Sequence, residues 1–137
     1  MIKPICKDIH FLQKKSQPAI KSDLPIVVDL IDTLNSYNKT CIGMAANMIG
    51  INKRIIAVNI DDKIIIPLIN PIIEKASKPY KAEENCLSLT GSKNTTRYQS
   101  IVVSYLDSNF KKHKQTFTGL TAQIIQHEID HCNGVLI

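Results

Sequence analysis

The pattern of apolar and polar positions predicts a helix in the N-terminal third of the chain. From residue 24 to about residue 37, apolar side chains recur every three or four positions, as on one face of an amphipathic helix. Ser22 or Asp23 can cap its first turn, which contains Pro25, and Asn38-Lys39 is expected to end it.

A pair of antiparallel strands is predicted next. RIIAVNI (residues 54–60) and IIIPLINPII (64–73) are apolar and rich in β-branched residues, and residues 61–63 form a turn between them. Pro67 and Pro71 should interrupt the second arm or confine it to a sheet edge, because proline cannot donate a hydrogen bond to a neighbouring strand.

A second strand pair and a closing helix follow toward the C-terminus. Residues 97–107 (RYQSIVVSYLD) and 113–119 (HKQTFTG) predict the strands, and a helix is predicted from about Gly119 to Cys132 with Thr118 as its cap. Apolar residues surround much of this helix, so it should be buried on most sides. They are Leu120, Ala122, Ile124, Ile125 and Ile129. An N-terminal helix, several antiparallel strands and a buried closing helix together predict an α+β fold.

Length and composition agree with a single domain covering residues 1–137. The chain is 44% hydrophobic and 21% charged, ordinary values for a globular protein, and it contains no tryptophan. A chain of this size should bury roughly two-thirds of the surface that it exposes when unfolded. Isoleucine, leucine and valine dominate the apolar residues, so we expect an aliphatic core.

The net charge of +5 limits the classes of partner. Lysines are scattered, and their densest cluster, residues 111–114, is expected to be a solvated turn, with weak attraction to nucleic acid or a ribosomal surface as the alternative. No basic strip interleaved with aromatic residues and no helix-turn-helix signal indicates sequence-specific nucleic-acid binding.

The N-terminal segment and the cysteines predict a cytoplasmic protein. Residues 1–5 contain no apolar signal-peptide region, and no apolar run approaches the ~18 residues needed to span a bilayer, so no membrane association is expected. Cys6, Cys41, Cys86 and Cys132 form no CxxC pair and are expected to be reduced.

The closing helix carries the strongest chemical signal, QHEIDH at residues 126–131. Residues four apart lie about 40° apart around a helix and ~6 Å along it, so His127 and His131 share one face and can bind one metal ion. Glu128 lies beside the pair, close enough to exchange a proton with water that the metal activates. The alternative is two core histidines that meet this spacing by chance.

Two histidines do not complete a catalytic metal site, which usually takes three protein ligands and leaves one position for water. Only six residues follow His131, and none of them is acidic or histidine, so the third ligand must lie upstream. Cys86, within ENCLS (residues 84–88), is the leading candidate, because a thiolate suits iron(II), zinc or nickel. Its alternative role is that of a small buried hydrophobic residue.

Three segments of the chain, in this order, resemble peptide deformylases. That family carries GxGxAAxQxG, EGCLS and HExDH segments, which here read CIGMAANMIG (41–50), ENCLS (84–88) and QHEIDH (126–131). The resemblance extends from about residue 40 to the end of the chain. It implies an α+β fold in which antiparallel strands wrap the metal-bearing helix, and hydrolysis of the N-formyl group from the formyl-methionine of newly made polypeptides.

Carried over position by position, the resemblance implies a role for each residue of the metal site. Cys86, His127 and His131 would bind one divalent metal ion, most often iron(II) in this family, with zinc and nickel as alternatives. Glu128 would take a proton from the attacking water and later deliver it to the leaving amine.

The resemblance also implies which residues contact the substrate, and there the chain departs from the family. The Leu87 N–H would help to hold the oxyanion, and Ile42 and Gly43 would pair with the substrate backbone as an added strand. Met48 stands where the family has a glutamine that helps to stabilise the oxyanion, and a thioether cannot donate that hydrogen bond. Losing one such donor can cost ~3 kcal/mol of transition-state stabilisation. Asn85 replaces a glycine and should constrain the backbone beside the cysteine.

Three other functions stay open from the residues alone. Met48 and the basic surface are compatible with a catalytically weakened paralogue, a formyl-peptide-binding or ribosome-associated module that binds without turnover. A small HExxH peptidase would need a metal ligand downstream of the helix. A purely structural metal site would need a fourth ligand such as Cys132, although that side chain should face about 100° away from His131.

Four further residues each have two interpretations. The family resemblance suggests that Arg97 forms a buried pair with Glu84 and steadies the ENCLS loop, whereas a surface position is the alternative. Asp130 would either orient a histidine ligand or lie on a solvated helix edge. His10 and His113 are expected to be surface residues rather than ligands.

Overall fold

The α+β architecture predicted from the sequence is present in the computed structural model, which describes residues 1–37 and 39–137. In that part of the chain the α-helices are α1 (Ile9–Leu12), α2 (Leu24–Ser36) and α3 (Gly119–Cys132). The strands are β1 (Gly43–Ala45), β2 (Ile55–Ile60), β3 (Ile64–Asn85), β4 (Ser92–Leu106) and β5 (Lys112–Thr118). Two 3-10 helices cover Lys21–Asp23 and Ala46–Ile49. None of the described helices is long and apolar enough to cross a membrane.

One antiparallel sheet organises the molecule, with the strands in their order along the chain from β1 to β5. Consecutive strands are therefore neighbours, which is the simplest connectivity that short turns allow. Helices α2 and α3 pack against the sheet and close an aliphatic core. Its largest fully buried side chains include Leu30, Leu34, Ile55, Ile56, Leu68, Ile101 and Ile125.

Helix α2 lies where the apolar period predicts it. Its inward stripe consists of Val27, Leu30 and Leu34, spaced three and four residues apart. Asp23 is the residue at the N-cap, but its carboxylate accepts the Ile20 N–H at 2.8 Å and makes no capping hydrogen bond to the helix. The helix ends at Ser36, and the predicted stop signal at Asn38 lies outside the described residues.

The β2–β3 hairpin is also present, but its second arm is longer than the sequence suggests. The turn at Asp61 and Asp62 adopts positive φ angles of 54° and 56°. Pro67 lies within β3 opposite Ala57, and the pairing with β4 changes register twice, between residues 69 and 72 around Pro71 and again between residues 73 and 75. A β-bulge therefore absorbs the proline that was expected to interrupt the strand.

Beyond this bulge, β3 and β4 form a long hairpin that pairs as far as Asn85 with Ser92. The loop that closes it, residues 86–91, begins with Cys86. Residues 74–81 of the arm are mostly exposed and rich in lysine. Because their side chains show no apolar alternation, the sequence gives no strand signal for this arm.

Helix α3 is buried on most sides, as its composition predicts, with one correction. Ala122, Ile125 and Ile129 are buried in the core, whereas Leu120 is 62% exposed at the start of the helix. Thr118 is the N-cap residue, but its side chain makes no capping hydrogen bond. Cys132 is fully buried among apolar residues, which matches a packing role.

Candidate metal centre

Helix α3 and the loop after β3 bring Cys86, His127 and His131 together. One possible ligand atom of each residue lies within 4.8 Å of those of the other two. The two imidazoles are one helical turn apart, and their Nε2 atoms are 3.1 Å from each other. Both histidines are buried, whereas the cysteine is half-buried at the hairpin loop. The structure therefore brings together the three residues that the sequence predicts as ligands.

The protonation of the histidine pair shows why a cation fits this position. Two imidazoles that face each other through Nε2 atoms cannot both be protonated there, since the two N–H groups would collide. Burial, together with the neighbouring imidazole, lowers the pKa of His131 to about 3. Burial also disfavours a charged His127, but hydrogen bonds to Cys86 and Glu84 outweigh it and raise the pKa of His127 to about 10. The facing Nε2 atoms can thus share at most one proton, and a divalent metal ion can take the place of that proton.

Glu128 is buried beside the histidines with an unused hydrogen-bonding atom. Its Oε1 has no hydrogen-bond partner among the described residues. Burial raises the pKa of Glu128 to about 7, although the neighbouring His127 opposes the shift. A carboxyl group that titrates near neutral pH is suited to accept and release a proton in turn.

Glu84 and Arg97 form the buried pair considered from the sequence. The Arg97 Nη2 lies 2.7 Å from Glu84 Oε1, and Nε lies 3.1 and 3.0 Å from the two carboxylate oxygens. The same Glu84 oxygen is 2.8 Å from His127 Nδ1. Burial alone would raise the pKa of Glu84, but these hydrogen bonds lower it to about 2, so the carboxylate is ionised. It accepts the His127 Nδ1–H and leaves Nε2 for a metal.

Asp130 contacts the arginine rather than a histidine. Its Oδ2 lies 2.6 Å from Arg97 Nη1. Asp130 therefore supports the site indirectly, because it binds the Arg97 guanidinium, which in turn contacts Glu84. His10 is exposed on α1, and His113 pairs with Asp107 on the surface at 2.7 Å, so neither reaches the metal centre.

Met48 lies against the centre within the 3-10 helix that follows β1. Its Sδ is 4.0 Å from Cys86 Sγ and accepts the Ala45 N–H at 3.5 Å. Asn47 donates its amide to the His131 carbonyl at 2.8 Å. Residues 46–49 thus form a helical turn, and the Asn47 amide is committed to the backbone of α3.

Strand β1 forms an open edge of the sheet above α3. The Asn59 N–H donates to the Ile42 carbonyl at 2.9 Å, so Ile42 faces β2. The alternation of an antiparallel ladder then turns the N–H and C=O groups of Gly43 to the open edge. A Cβ on Gly43 would lie 2.4 Å from Ile124 Cγ2 and 3.0 Å from Glu128 Oε2. Glycine is required there because the backbone packs directly on α3.

Leu87 and Asn85 flank the cysteine in the hairpin loop. The Leu87 N–H makes no hydrogen bond within residues 1–37 and 39–137, which leaves it available as a donor. Asn85 ends β3 opposite Ser92 and does not adopt a positive φ angle. The replacement of glycine by asparagine therefore introduces no left-handed strain at this position.

A cavity of about 1010 Å³ is lined by residues that include Gly43, Cys86, His127 and Glu128. Its lining also includes Cys41 and Gln123, to which the sequence alone assigns no role in the site. Cys41 occupies the first glycine position of the GxGxAAxQxG segment, and its thiol donates to the Gly43 carbonyl at 2.8 Å. Burial raises the pKa of the Cys41 thiol to about 12, so it is a neutral donor. Gln123 lies four residues before His127, and that helical spacing was a signal for it.

Cys132 does not join the cluster. Within the described residues, the group that could hold a metal ion contains three side chains, and the Cys132 thiol lies in the apolar core instead. Three such ligands would leave a coordination position free, as in a catalytic rather than a structural site.

Comparisons with known proteins agree over nearly the whole chain. The family model for polypeptide deformylase matches residues 2–137. A peptide deformylase of Clostridium beijerinckii is 56% identical over 137 residues, which is 100% of both chains. One of Thermodesulfovibrio yellowstonii is 38% identical over 134 residues, covering 92% of this chain and 80% of the relative.

Solved structures show the same similarity. The class I type b peptide deformylase of Acinetobacter baumannii, in a crystal structure with Met-Ala-Ser bound, has a TM-score of 0.89 at 26% identity and is covered to 97%, with 99% of this chain. The peptide deformylase of Thermotoga maritima has a TM-score of 0.89 at 27% identity, with 99% of this chain and 95% of the other covered.

Proposed function

The chain belongs to the polypeptide deformylase family, and we propose that Cys86, His127 and His131 hold its metal ion while Glu128 carries the protons of the reaction. As a peptide deformylase, it removes the N-formyl group from the N-terminal formyl-methionine of newly made polypeptides. The observation that supports the residue assignment most directly is the cluster of three ligand atoms beside a buried carboxyl group with an unused oxygen.

Hydrolysis of a formamide joins a water oxygen to the formyl carbon and breaks the C–N bond, releasing formate and a free amine. A divalent metal supplies a Lewis acid that polarises the formyl carbonyl and makes water acidic. Glu128 takes one proton from the attacking water and delivers it to the amine nitrogen as that nitrogen leaves. A pKa of about 7 allows the same carboxyl group to do both.

Substrate alignment falls to β1 and the hairpin loop. Gly43 offers its N–H and C=O at the open sheet edge, where an extended peptide can add as a strand together with Ile42. The Leu87 N–H is the donor that we assign to the oxyanion. Met48 contributes a thioether and no donor, so of the two protein donors that the family resemblance implies, the Leu87 N–H is the one present in this chain.

Iron(II) is the metal that we propose, with zinc(II) or nickel(II) as alternatives, because one thiolate and two imidazoles accept each of them. We further propose that residues 1–137 act as one catalytic domain in the cytoplasm. Lys111, Lys112 and Lys114 are exposed around the β4–β5 turn and would provide a weak, salt-dependent ribosome contact. Co-sedimentation with ribosomes at low and high salt tests that contact.

The deciding experiment is turnover of formyl-Met-Ala-Ser by protein purified anaerobically and loaded with iron(II) or nickel(II). We expect formate release by the wild type and a loss of about 10²–10⁴-fold in Glu128→Ala, the range for removal of a general acid–base. Glu74→Ala, an exposed carboxylate on β3, is the matched control and should keep full activity.

Other results would redirect the proposal. Tight binding of the formyl peptide without metal-dependent turnover would indicate the weakened paralogue that Met48 suggests. Cleavage of internal peptide bonds would indicate a peptidase. Turnover that survives Glu128→Ala would remove Glu128 from its assigned role.

A further inference from the structure

Gln123 and Tyr80 lie behind the metal centre and take no part in the steps above. Gln123 is on α3, one turn before His127, and its Nε2 donates to Glu84 Oε2 at 2.9 Å. Its Oε1 accepts the Tyr80 hydroxyl from β3 at 3.1 Å. Glu84 Oε1 is 2.8 Å from His127 Nδ1, so a continuous hydrogen-bonded chain joins the tyrosine to the histidine.

Chemistry permits only one orientation of the glutamine amide in this chain. The ionised Glu84 carboxylate only accepts hydrogen bonds, so the NH₂ group of Gln123 must face it. The reverse orientation would set a carbonyl oxygen against a carboxylate. The Tyr80 hydroxyl then donates to the amide oxygen, and this bond strengthens the amide as a donor on its other side.

The two carboxylate oxygens of Glu84 are held by different groups. Oε1 receives the Arg97 Nη2 at 2.7 Å and faces His127. Oε2 receives Gln123 at 2.9 Å and the Arg97 Nε at 3.0 Å, and that Nε is shared with Oε1 at 3.1 Å. Gln123 is therefore the one donor in the described part of the chain that engages Oε2 alone. Without it, Oε2 keeps only the Arg97 Nε, which it shares with Oε1, so rotation of the carboxylate about its last bond is opposed by one donor fewer.

We propose that Gln123, held by Tyr80, is a positioning residue for the metal centre. By fixing Oε2 of Glu84 it keeps Oε1 on the His127 ring, and it thereby keeps the His127 Nε2 aimed at the metal. The inference rests on the proposed function, because it assumes that His127 is a ligand. It adds to that function a chain of hydrogen bonds that begins at Tyr80 in the β3–β4 hairpin and ends at His127.

The position of the pair adds a second consequence. Gln123 lines both the main cavity and a neighbouring one of about 390 Å³, and Tyr80 lines the second. The Gln123 side chain thus forms part of the wall between them. Removal of its amide would let water from the second cavity compete for Glu84 Oε2, and a mobile water orients a carboxylate less well than a fixed donor.

The test compares Gln123→Leu, Gln123→Glu and Tyr80→Phe with the wild-type holoenzyme. We expect Gln123→Leu to weaken zinc(II) binding about tenfold, the lower end of the range for residues that support a metal ligand. Gln123→Glu should lose at least as much, because it removes the donor and adds a like charge. Tyr80→Phe keeps the donor and should lose only about threefold, less than the ~10–100-fold range for residues that support a metal ligand directly.

Zinc affinity is measured by competition with a chelator, and the cobalt(II) absorption spectrum reports the ligand geometry. The matched control is a second tyrosine–glutamine pair remote from the site, since the Tyr105 hydroxyl donates to Gln115 Oε1 at 2.9 Å on the β4–β5 surface. Tyr105→Phe and Gln115→Leu should leave both readouts unchanged. Thermal unfolding of the metal-free variants separates a local effect from lost stability.

The outcomes distinguish this inference from the proposed function. If the wild type binds zinc and Gln123→Leu binds it equally well with an unchanged cobalt spectrum, the positioning role is wrong and the ligand assignment stands. A zinc affinity that falls only in step with unfolding stability, or falls equally in Gln115→Leu, also overturns the positioning role. A wild-type protein without zinc affinity would overturn the metal site itself.

Discussion

Helix α3 has two faces with different surroundings: one packs in the apolar core, and the other carries the two candidate histidine ligands. One face carries Ala122, Ile125, Ile129 and Cys132, spaced three and four residues apart, and all of them pack in the aliphatic core. The other carries Gln123, His127 and His131, with Glu128 beside them, in contact with Glu84 at the end of β3 and with β1. Most of these side chains are buried, but only the second face includes buried polar atoms without a protein partner, Glu128 Oε1 and His131 Nδ1.

The difference between the faces explains how a small domain stays folded around buried polar atoms that have no hydrogen-bond partner. Burial of apolar side chains on one face supplies stabilisation, while burial of unpaired polar groups on the other opposes it by about 1–3 kcal/mol each. The helix can hold its ligands in place because its apolar face fixes its position. Substitutions on the apolar face should therefore change stability, and those on the polar face should change metal binding or turnover.

Arg97→Met should have the largest effect and be an exception to this rule. Arg97 lies on β4 behind the polar face of α3, and its loss should lower stability because it belongs to a buried ion pair. Arg97 and Glu84 are 4% and 6% exposed, and Asp130 shares the guanidinium. Removal of the cation leaves two carboxylates without their partner, which should lower the free energy of unfolding by about 4 kcal/mol. Urea unfolding of the metal-free protein measures this loss.

Arg54→Met is the matched control for that prediction. Arg54 donates to the Asn133 side chain at 2.8 Å and to the Pro71 carbonyl at 3.1 Å, both neutral acceptors. Its loss should cost only about 1 kcal/mol. An equal cost for the two variants would mean that the buried charges around Glu84 do not need compensation.

Two cysteines differ in the same way as the two faces of α3. Cys86 lies at the candidate metal centre, and Cys132 lies in the apolar core. Cys86→Ser should lower zinc affinity and kcat/KM at least about a hundredfold, since even residues that support a ligand are worth up to that factor. A hydroxyl is a poorer and harder ligand than a thiolate. Its stability without metal should change little, because Cys86 is half-buried at a loop.

Cys132→Ser provides the opposite result on the apolar face. It buries a hydroxyl among aliphatic side chains, which should cost about 2 kcal/mol of stability. Zinc affinity and kcat should stay close to the wild-type values, because the Cys132 thiol lies outside the ligand cluster. A lost metal site in Cys132→Ser, or full activity in Cys86→Ser, would contradict the division of α3 into two faces.

The polar face of α3 was predictable because its signal is local. His127 and His131 lie four residues apart, and the helical period alone places them together. The same reasoning failed for Leu120, which lies about two turns before His127 on the same side of the helix but beyond the core, at the rim of the cavity. Periodicity gives the direction of a side chain, and it does not show where the packing ends.

Contacts between distant segments were not predictable from the residues alone. Gln123 meets Tyr80 across 43 positions of the chain, through a polar hairpin arm with no apolar alternation. The bulge near Pro71 follows from pairing with β4, a partner that local propensity does not reveal. The family resemblance suggested the contact of Arg97 with Glu84, but its extension to Asp130 needed the fold.

The smallest expected effect is an increase in kcat on substitution of Met48. This residue is apolar, but it lies beside Cys86 at the candidate metal centre. In Met48→Gln, the new amide oxygen can accept the Ala45 N–H that the thioether accepts now at 3.5 Å. Its NH₂ group is then free to donate to the oxyanion. We expect kcat for formyl-Met-Ala-Ser to rise about tenfold, less than the ~10²–10³-fold that one donor contributes in a site built around it.

Met48→Leu has a similar volume and no donor, so its kcat should stay within about twofold of the wild type. If both variants gain activity, packing rather than hydrogen bonding limits turnover; if neither does, Leu87 and the metal already suffice for the oxyanion.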